Sequence, residues 1–277
     1  MKIFPGEYRI EGEKLNLSFV KGFNGHIMSE FVEKPNLPTG KVTKVIADFR
    51  ICGKALDTLN KNGIEVIKTQ RLTGLYAAVC GHADMQLQHL GGNTFICEPT
   101  VFDYYKKAIP NARLIKGTAF VCEKYPYDIQ YNGVCVGKYF FHNLKYTDSA
   151  VYEYYKSMRG KLINVKQGYT KCSVCVISEN AMITSDRKIA EAAEKQGIDS
   201  LFVNPEEIRL NGMSNGFVGG ICGLIDKNVL AVNGDVTLTS FGADFVGFCE
   251  KHGVELLPLK DEIPEDIGSI LPIEQAV

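Results

Sequence analysis

The sequence predicts an α/β fold in which one β-β-α-β unit is used five times, the copies closing into a five-fold pseudosymmetric ring with the helices outside. Three observations predict it. An apolar strand, an amphipathic helix, a Gly stop and a second apolar strand recur with a period of about 45–50 residues. At least four of these copies carry a further strand in front, joined through Gly91-Gly92-Asn93, Val136-Gly137-Lys138, Ser178-Glu179-Asn180 and Asp226-Lys227-Asn228. Two helices are also alike in sequence, Phe102-Asp103-Tyr104-Tyr105-Lys106-Lys107 and Tyr152-Glu153-Tyr154-Tyr155-Lys156-Ser157. A lone unit of this kind cannot bury both faces and must stack on copies of itself.

In chain order, Phe4 to Lys34 mixes short alternating runs with Gly-rich breaks and reads as irregular strands that close something. Val42 to Ala47 is then an apolar strand ending at Asp48, Lys54 to Asn62 a helix stopped by Gly63, and Ile64 to Ile67 a strand. His26 to Val32 is the candidate for the first strand of that unit. Thr94 to Glu98 leads to a helix over Val101 to Ile109 and a strand over Arg113 to Ile115. Lys138 to Phe141 leads to Ser149 to Met158, the Gly160 stop and Leu162 to Val165. Ala181 to Thr184 leads to Arg187 to Gln196, the Gly197 stop and Ser200 to Val203. Val229 to Val232 leads to Phe241 to His252, the Gly253 stop and Val254 to Leu257. The repeats run roughly over 24–78, 79–118, 125–167, 168–212 and 215–260, and no low-complexity linker interrupts them, so one domain is expected over 1–277.

Composition narrows the class. With 45% hydrophobic residues the chain can bury a full core, and a net charge of −1 gives no basic footprint for nucleic acid or an anionic membrane. No apolar run approaches the roughly 18–20 residues that span a bilayer, and the first residues lack a signal peptide's apolar stretch, so a cytoplasmic protein is expected. Nine cysteines, odd in number and mostly inside apolar runs, suit reduced core thiols.

The chemistry-bearing stretch is Gly81-His82-Ala83-Asp84, followed by Met85 to Leu90 and the Gly-Gly-Asn turn. Read as a strand, it points His82 and Asp84 to one face and Ala83 and Met85 to the other, so an imidazole and a carboxylate share a pocket wall. Five β-β-α-β units with an H-x-D on one inner strand resemble the pentein, or β/α-propeller, fold of the guanidine-modifying enzymes: arginine deiminase, agmatine deiminase, dimethylarginine dimethylaminohydrolase and amidinotransferase. The resemblance covers about Lys41 to Leu257. It implies that His82 is general acid/base, that Asp84 contacts a guanidinium, and that a Cys two units on attacks the guanidinium carbon. That unit begins Gly168-Tyr169-Thr170-Lys171-Cys172, and Cys172 follows His82 by 90 residues, about two periods. Cys172 precedes Asn180 by eight residues, as Asp84 precedes Gly92, which places both at one depth in the ring. A guanidinium is a poor electrophile, so a carboxylate must hold it, a thiolate attack it and a histidine serve the leaving amine. Lys171 and the cationic substrate would favour the thiolate.

Alternatives stand beside each assignment. The family also places an acid one unit before the histidine, where only Glu30 and Glu33 occur, and its nucleophile usually lies near the C-terminus after a Gly-rich run. Gly219-Gly220-Ile221-Cys222-Gly223 has that character, which makes Cys222 the rival nucleophile, or Gly219 and Gly220 part of a backbone-lined substrate pocket. Cys172-x-x-Cys175 lacks the second pair of a zinc site, and neither metal nor cofactor is expected. Asp48, Glu98, Asp186 and Asp235 recur before helices and read as N-caps. Tyr104, Tyr105, Tyr154 and Tyr155 read as packing residues, and Gly212 to Gly216 as a polar turn, with a lid as the alternative. His89, His142 and His252 have no evident partner. The expected activity is hydrolysis of a C–N bond in a small cationic guanidine or amidine. The competing class is a non-catalytic pentein such as the ribosome anti-association factor fold, for which the axis would be plugged, and a third reading is an enzyme-derived protein that still binds a small cation without turning it over.

Overall fold

The structure, a computed structural model, describes residues 28–158 and 161–277. The expectations for Phe4 to Lys34 fall largely outside that range, as does the Gly160 stop.

The first elements are β1 (Ser29–Phe31), β2 (Val42–Ala47), α1 (Gly53–Lys61) and β3 (Glu65–Lys68). The second unit is α2 (Ala83–Gln86), β4 (Leu87–Gly91), β5 (Thr94–Cys97), α3 (Phe102–Ala108) and β6 (Arg113–Lys116). The third is β7 (Val134–Val136), β8 (Tyr139–His142), α4 (Ser149–Ser157) and β9 (Lys161–Asn164). The fourth is α5 (Thr170–Ser173), β10 (Val174–Ser178), β11 (Ala181–Thr184), α6 (Arg187–Glu194) and β12 (Asp199–Phe202). The last is β13 (Cys222–Asp226), β14 (Val229–Val232), α7 (Gly242–Lys251) and β15 (Glu255–Pro258), after which the chain ends in β16 (Leu271–Ala276).

These strands form five small sheets. In four of them a first strand pairs antiparallel with a second, which pairs parallel with a third beyond the helix: β4-β5-β6, β7-β8-β9, β10-β11-β12 and β13-β14-β15. The remaining sheet has the order β1-β16-β2-β3. The strand antiparallel to β2 is therefore β16, and β1, inside the His26 to Val32 stretch expected to hold that place, pairs only with the outer side of β16. β16 thus lies between β1 and β2 with both of its edges paired.

Burial falls from first strand to third. β4, β7 and β10 are buried almost throughout, whereas β6, β9 and β15 expose their ends. Neighbouring first strands touch, β7 with β10, β10 with β13 and β13 with β16. The helices lay apolar faces on the sheets: Tyr105 and Tyr155 are buried under α3 and α4, with Tyr104 and Tyr154 edge-on beside them, so the tyrosine pairs are packing residues.

Asp186 caps α6 through the Lys188 and Ile189 amides, and Glu98 and Asp235 cap 3₁₀ turns through the Thr100 and Thr237 amides. Asp48 accepts from the Arg50 amide and guanidinium. Helix capping and loop bracing thus account for these four acids. His89 stacks on Phe95 and bonds the Gly92 carbonyl, His142 lies between Thr147 and the Gly168 carbonyl, and His252 meets Asp199.

Candidate active site

The H-x-D stretch is not a strand. His82 is extended (φ −61°, ψ 127°) and caps the single turn α2, in which Asp84 is the second residue; the strand begins only at Leu87. From Gly81 to Leu90 there is no β-branched residue, and Ala, Met, Gln and Leu favour a helical turn. Burial fixes the turn: Gln86 donates to the Gln70 carbonyl and accepts from Tyr105. Cys172 sits in the equivalent single turn of its unit, α5, as the third residue where Asp84 is the second of α2, before the β-branched run of β10. The two turns face each other.

The Cys172 thiol lies 3.2 and 3.1 Å from the two oxygens of Asp84 and donates its proton between them. Asn132, just ahead of β7, braces this pair. Its Oδ1 accepts from the Lys171 and Cys172 amides at 2.9 and 3.2 Å, while its Nδ2 lies 3.2 Å from the Cys172 sulfur. Ser269 Oγ accepts from Lys171 Nζ at 2.8 Å and lies 2.8 Å from Asp84 Oδ2 and 2.9 Å from the Gly219 carbonyl. Lys171 is therefore one hydroxyl away from Asp84.

His82 is fully buried, and neither ring nitrogen has a hydrogen-bond partner among the described residues. Its Nδ1 stands 3.8 Å from Asp266 Oδ1, and its ligating atom, with those of Asp84 and Cys172, falls in a cluster no wider than 4.8 Å. Asp266 is held by the Phe217 and Gly268 amides, both at 2.9 Å. At Gly268 (φ +65°) a methyl group would overlap the His82 side chain, so only glycine lets the two loops meet.

Electrostatics follow from burial. Loss of solvent pushes the Cys172 thiol well above its ordinary value; the Asp84 and Asp266 charges and the bond to Asp84 add to this, and the Asn132 amide opposes it. Burial also raises Asp266, while His82 and the two amides pull it down. At rest Cys172 is therefore held as a neutral thiol. A His nitrogen, a carboxylate and a thiol this close are also donor types that a soft divalent cation accepts, although the sequence led us to expect no metal.

Two members of the cluster, His82 and Cys172, line a cavity of about 160 Å³, with Asp84 behind Cys172. His82, Cys172 and Asp266 form its base, Tyr76, Tyr169 and Phe217 its walls, and the 210–215 segment its roof. The Gly212 to Gly216 turn thus contributes to a site. Tyr169 stacks on Phe217 at 5.9 Å, its hydroxyl is 2.7 Å from that of Tyr76, and it donates to buried Asp128. A larger cavity of about 620 Å³ lies against α7 and β15, walled by Val236, Val246 and Leu256. Its lining holds neither cysteine nor histidine.

Other expected residues lie elsewhere. Cys222 donates to the Val218 carbonyl and sits against Cys175 in an apolar cluster, away from His82. Gly219 and Gly220 approach protein rather than open space: a methyl on Gly219 would strike the Lys171 and Val174 carbonyls, and one on Gly220 the Asp266 carboxylate. Glu30 and Glu33 are exposed on the surface. The sequence reading missed Asp266, Asn132, Ser269 and the tyrosine walls. One signal for Asp266 existed: it precedes the apolar run Ile270-Leu271-Pro272-Ile273 much as Asp84 precedes β4, but that run lies past the last counted repeat. Its strand, β16, completes the sheet of the unit that precedes His82 in the chain.

A protein family described as "Family of unknown function (DUF6873)" matches residues 46–271. The chain belongs to this family. No curated protein matches it in sequence. Solved structures do resemble it. The inosamine-phosphate amidinotransferase StrB1 of Streptomyces griseus superposes with a TM-score of 0.53 at 12% identity, covering 83% of this chain and 91% of its own. The amidinotransferase SxtG of Microseira wollei, from the saxitoxin pathway, gives 0.50 at 12% identity, with 82% and 91% covered. Agmatine deiminase of C. jejuni gives 0.50 at 9% identity, with 86% and 92% covered. At such identities the likeness speaks for the fold alone, and that fold is the pentein fold. No helix among the described residues is long and apolar enough to cross a membrane.

Proposed function

We propose that the five sheets close into one ring-shaped pentein domain whose axial cavity hydrolyses a C–N bond of a small guanidine or amidine, with Cys172 as nucleophile. The observation that carries this reading is the meeting of Cys172, Asp84 and an otherwise unpartnered His82 at the base of a cavity, with Asp266 beside them. A plugged axis, as a non-catalytic pentein would have, does not fit that cavity. All nine cysteines are free, which supports a reducing, cytoplasmic setting.

The geometry supports a definite order of events. The guanidinium enters as a cation and takes the oxygens of Asp84 that the thiol now uses, with Asp266 on its other side. The displaced thiol proton passes to His82, and the resulting thiolate attacks the guanidinium carbon. The C–N bond breaks, its electron pair leaving with the amine, which takes the proton from His82. Water then attacks the S-bound carbon, His82 takes its proton, and the C–S bond breaks to return the thiolate. The sum is guanidinium plus water giving a urea and an ammonium. Asn132, donating toward the sulfur, stabilises the thiolate in both halves.

The test is alkylation by 2-chloroacetamidine of the chelator-treated protein, read by intact mass and peptide mapping. One adduct at Cys172, lost in Cys172→Ser and slowed by His82→Ala, is expected, together with urea or ammonia release from a guanidine panel. Adducts at Cys222, or at no cysteine, would overturn the assignment. Products carrying an added amine in place of water would move the reaction from hydrolase to amidinotransferase.

A further inference from the structure

The walls of the cavity speak to the tail of the substrate, an inference that rests on the guanidine reading above. Its lining holds one carboxylate, Asp266, and three aromatic rings, those of Tyr76, Tyr169 and Phe217. Asp84 lies just behind Cys172, and Asp128 just behind Tyr169, so further buried acids stand within one side chain of the wall. No lysine or arginine lines it among the described residues. The nearby cations are already engaged: Lys171 Nζ bonds Ser269 behind the wall, and Arg50 is locked to Asp48 and the Ala78 carbonyl. The volume of about 160 Å³ is below the roughly 300–1,000 Å³ of ordinary ligand pockets.

From this arrangement we infer that the site selects a small guanidine or amidine whose tail is neutral or cationic, and rejects one that ends in a carboxylate. Aromatic faces and buried acids attract a cation, and both repel an anion. A carboxylate brought here would leave water without a cationic partner and would stand beside like charges. Discrimination therefore arises by repulsion as well as by fit. The roof adds to it: Met213, Ser214 and Asn215 offer thioether, hydroxyl and amide groups, none of them charged, over the place where a tail would emerge. The substrates this excludes are guanidino acids, including arginine; those it admits are alkylguanidines and guanidino amines.

The test compares three ligands of matched length, n-butylguanidine, agmatine and 4-guanidinobutyrate, as protectors of Cys172 against 2-chloroacetamidine. Half-protection by 4-guanidinobutyrate is expected to need about 10- to 100-fold more ligand than by n-butylguanidine, the scale of one uncompensated like charge at roughly 6–12 Å and an effective dielectric near 20. Ser214→Arg, which places a cation in the roof, is expected to narrow that ratio. Equal or better protection by 4-guanidinobutyrate in the unmodified protein would overturn the inference and leave the guanidine reading standing. Failure of all three to protect would remove the guanidine reading itself, and the tail inference with it.

Discussion

At Cys172 two demands on one carboxylate oppose each other. Asp84 must be charged to hold a guanidinium, yet its charge, with burial, keeps the resting thiol protonated. Under the proposed function the conflict is resolved when a cation occupies Asp84, so the thiol is switched on by the molecule it is to attack. Asp84→Asn separates the two roles. Removing the negative charge lowers the thiol's pKa, and each unit gained multiplies the thiolate about tenfold below that pKa. Cys172 in Asp84→Asn is accordingly expected to react about tenfold faster than the native residue with the neutral reagent iodoacetamide at pH 8. It should react more slowly with cationic 2-chloroacetamidine, which loses its holder. In the native protein the iodoacetamide rate should climb about tenfold per pH unit from pH 6 to 9 without levelling, because the thiol titrates above that range. A plateau near neutrality, or parallel responses of the two reagents, would contradict this account.

Among the elements, β16 matters most for both stability and site. It supplies the inner strand of the first sheet, and the loop that leads into it carries Asp266, Gly268 and Ser269 to the cavity. Ile273 on this strand is fully buried, and Ile273→Ala is expected to cost about 2–5 kcal/mol, lowering the urea midpoint with little change in slope. The same variant should slow labelling of Cys172, since the Asp266 loop would lose its anchor; an unaltered labelling rate would show that the loop stands without the strand. This element also marks where sequence reasoning stopped. Second strands, helices and third strands were legible within a residue or two, because each pairs an apolar run with a clear turn or cap. The partnership of β16 with β2 was not, since no local pattern says that a terminal strand completes a unit more than two hundred residues earlier. The turns α2 and α5 were read as strands because four residues are too few to display a helical period, and the count from the hairpin turns was one residue out: Gly91 pairs with Thr94 as Ser178 pairs with Ala181, which puts Lys171 rather than Cys172 at the place of Asp84.

On the scale of the whole molecule, the site is a product of repetition. Just ahead of their first strands the units supply Asp84, Asn132, Cys172, the Gly219-Gly220 pair and the Asp266 to Ser269 loop, so no local segment contains the chemistry and only the assembled fold does. Stability and site should then fail together, and acid provides a way to see it. His89 and His142 are completely buried, and loss of solvent lowers each from 6.5 to about 4. In the unfolded chain they take up protons as the pH drops below 6.5, but in the folded protein only near 4. Between those values the unfolded state binds more protons, so stability rises with pH across the window and is lost on acidification. Each histidine accounts for at most about 3 kcal/mol of that loss, from a gap of some two to three units. Urea unfolding measured from pH 7 to 4 is expected to show this decline, with the rate of Cys172 labelling by 2-chloroacetamidine showing no sharper fall than the folded fraction and the thiol's own titration require. His142→Gln keeps a side chain able to reach Thr147 while removing one titrating group, and should flatten the decline by up to half. An unchanged pH dependence in that variant would place the acid sensitivity in other groups.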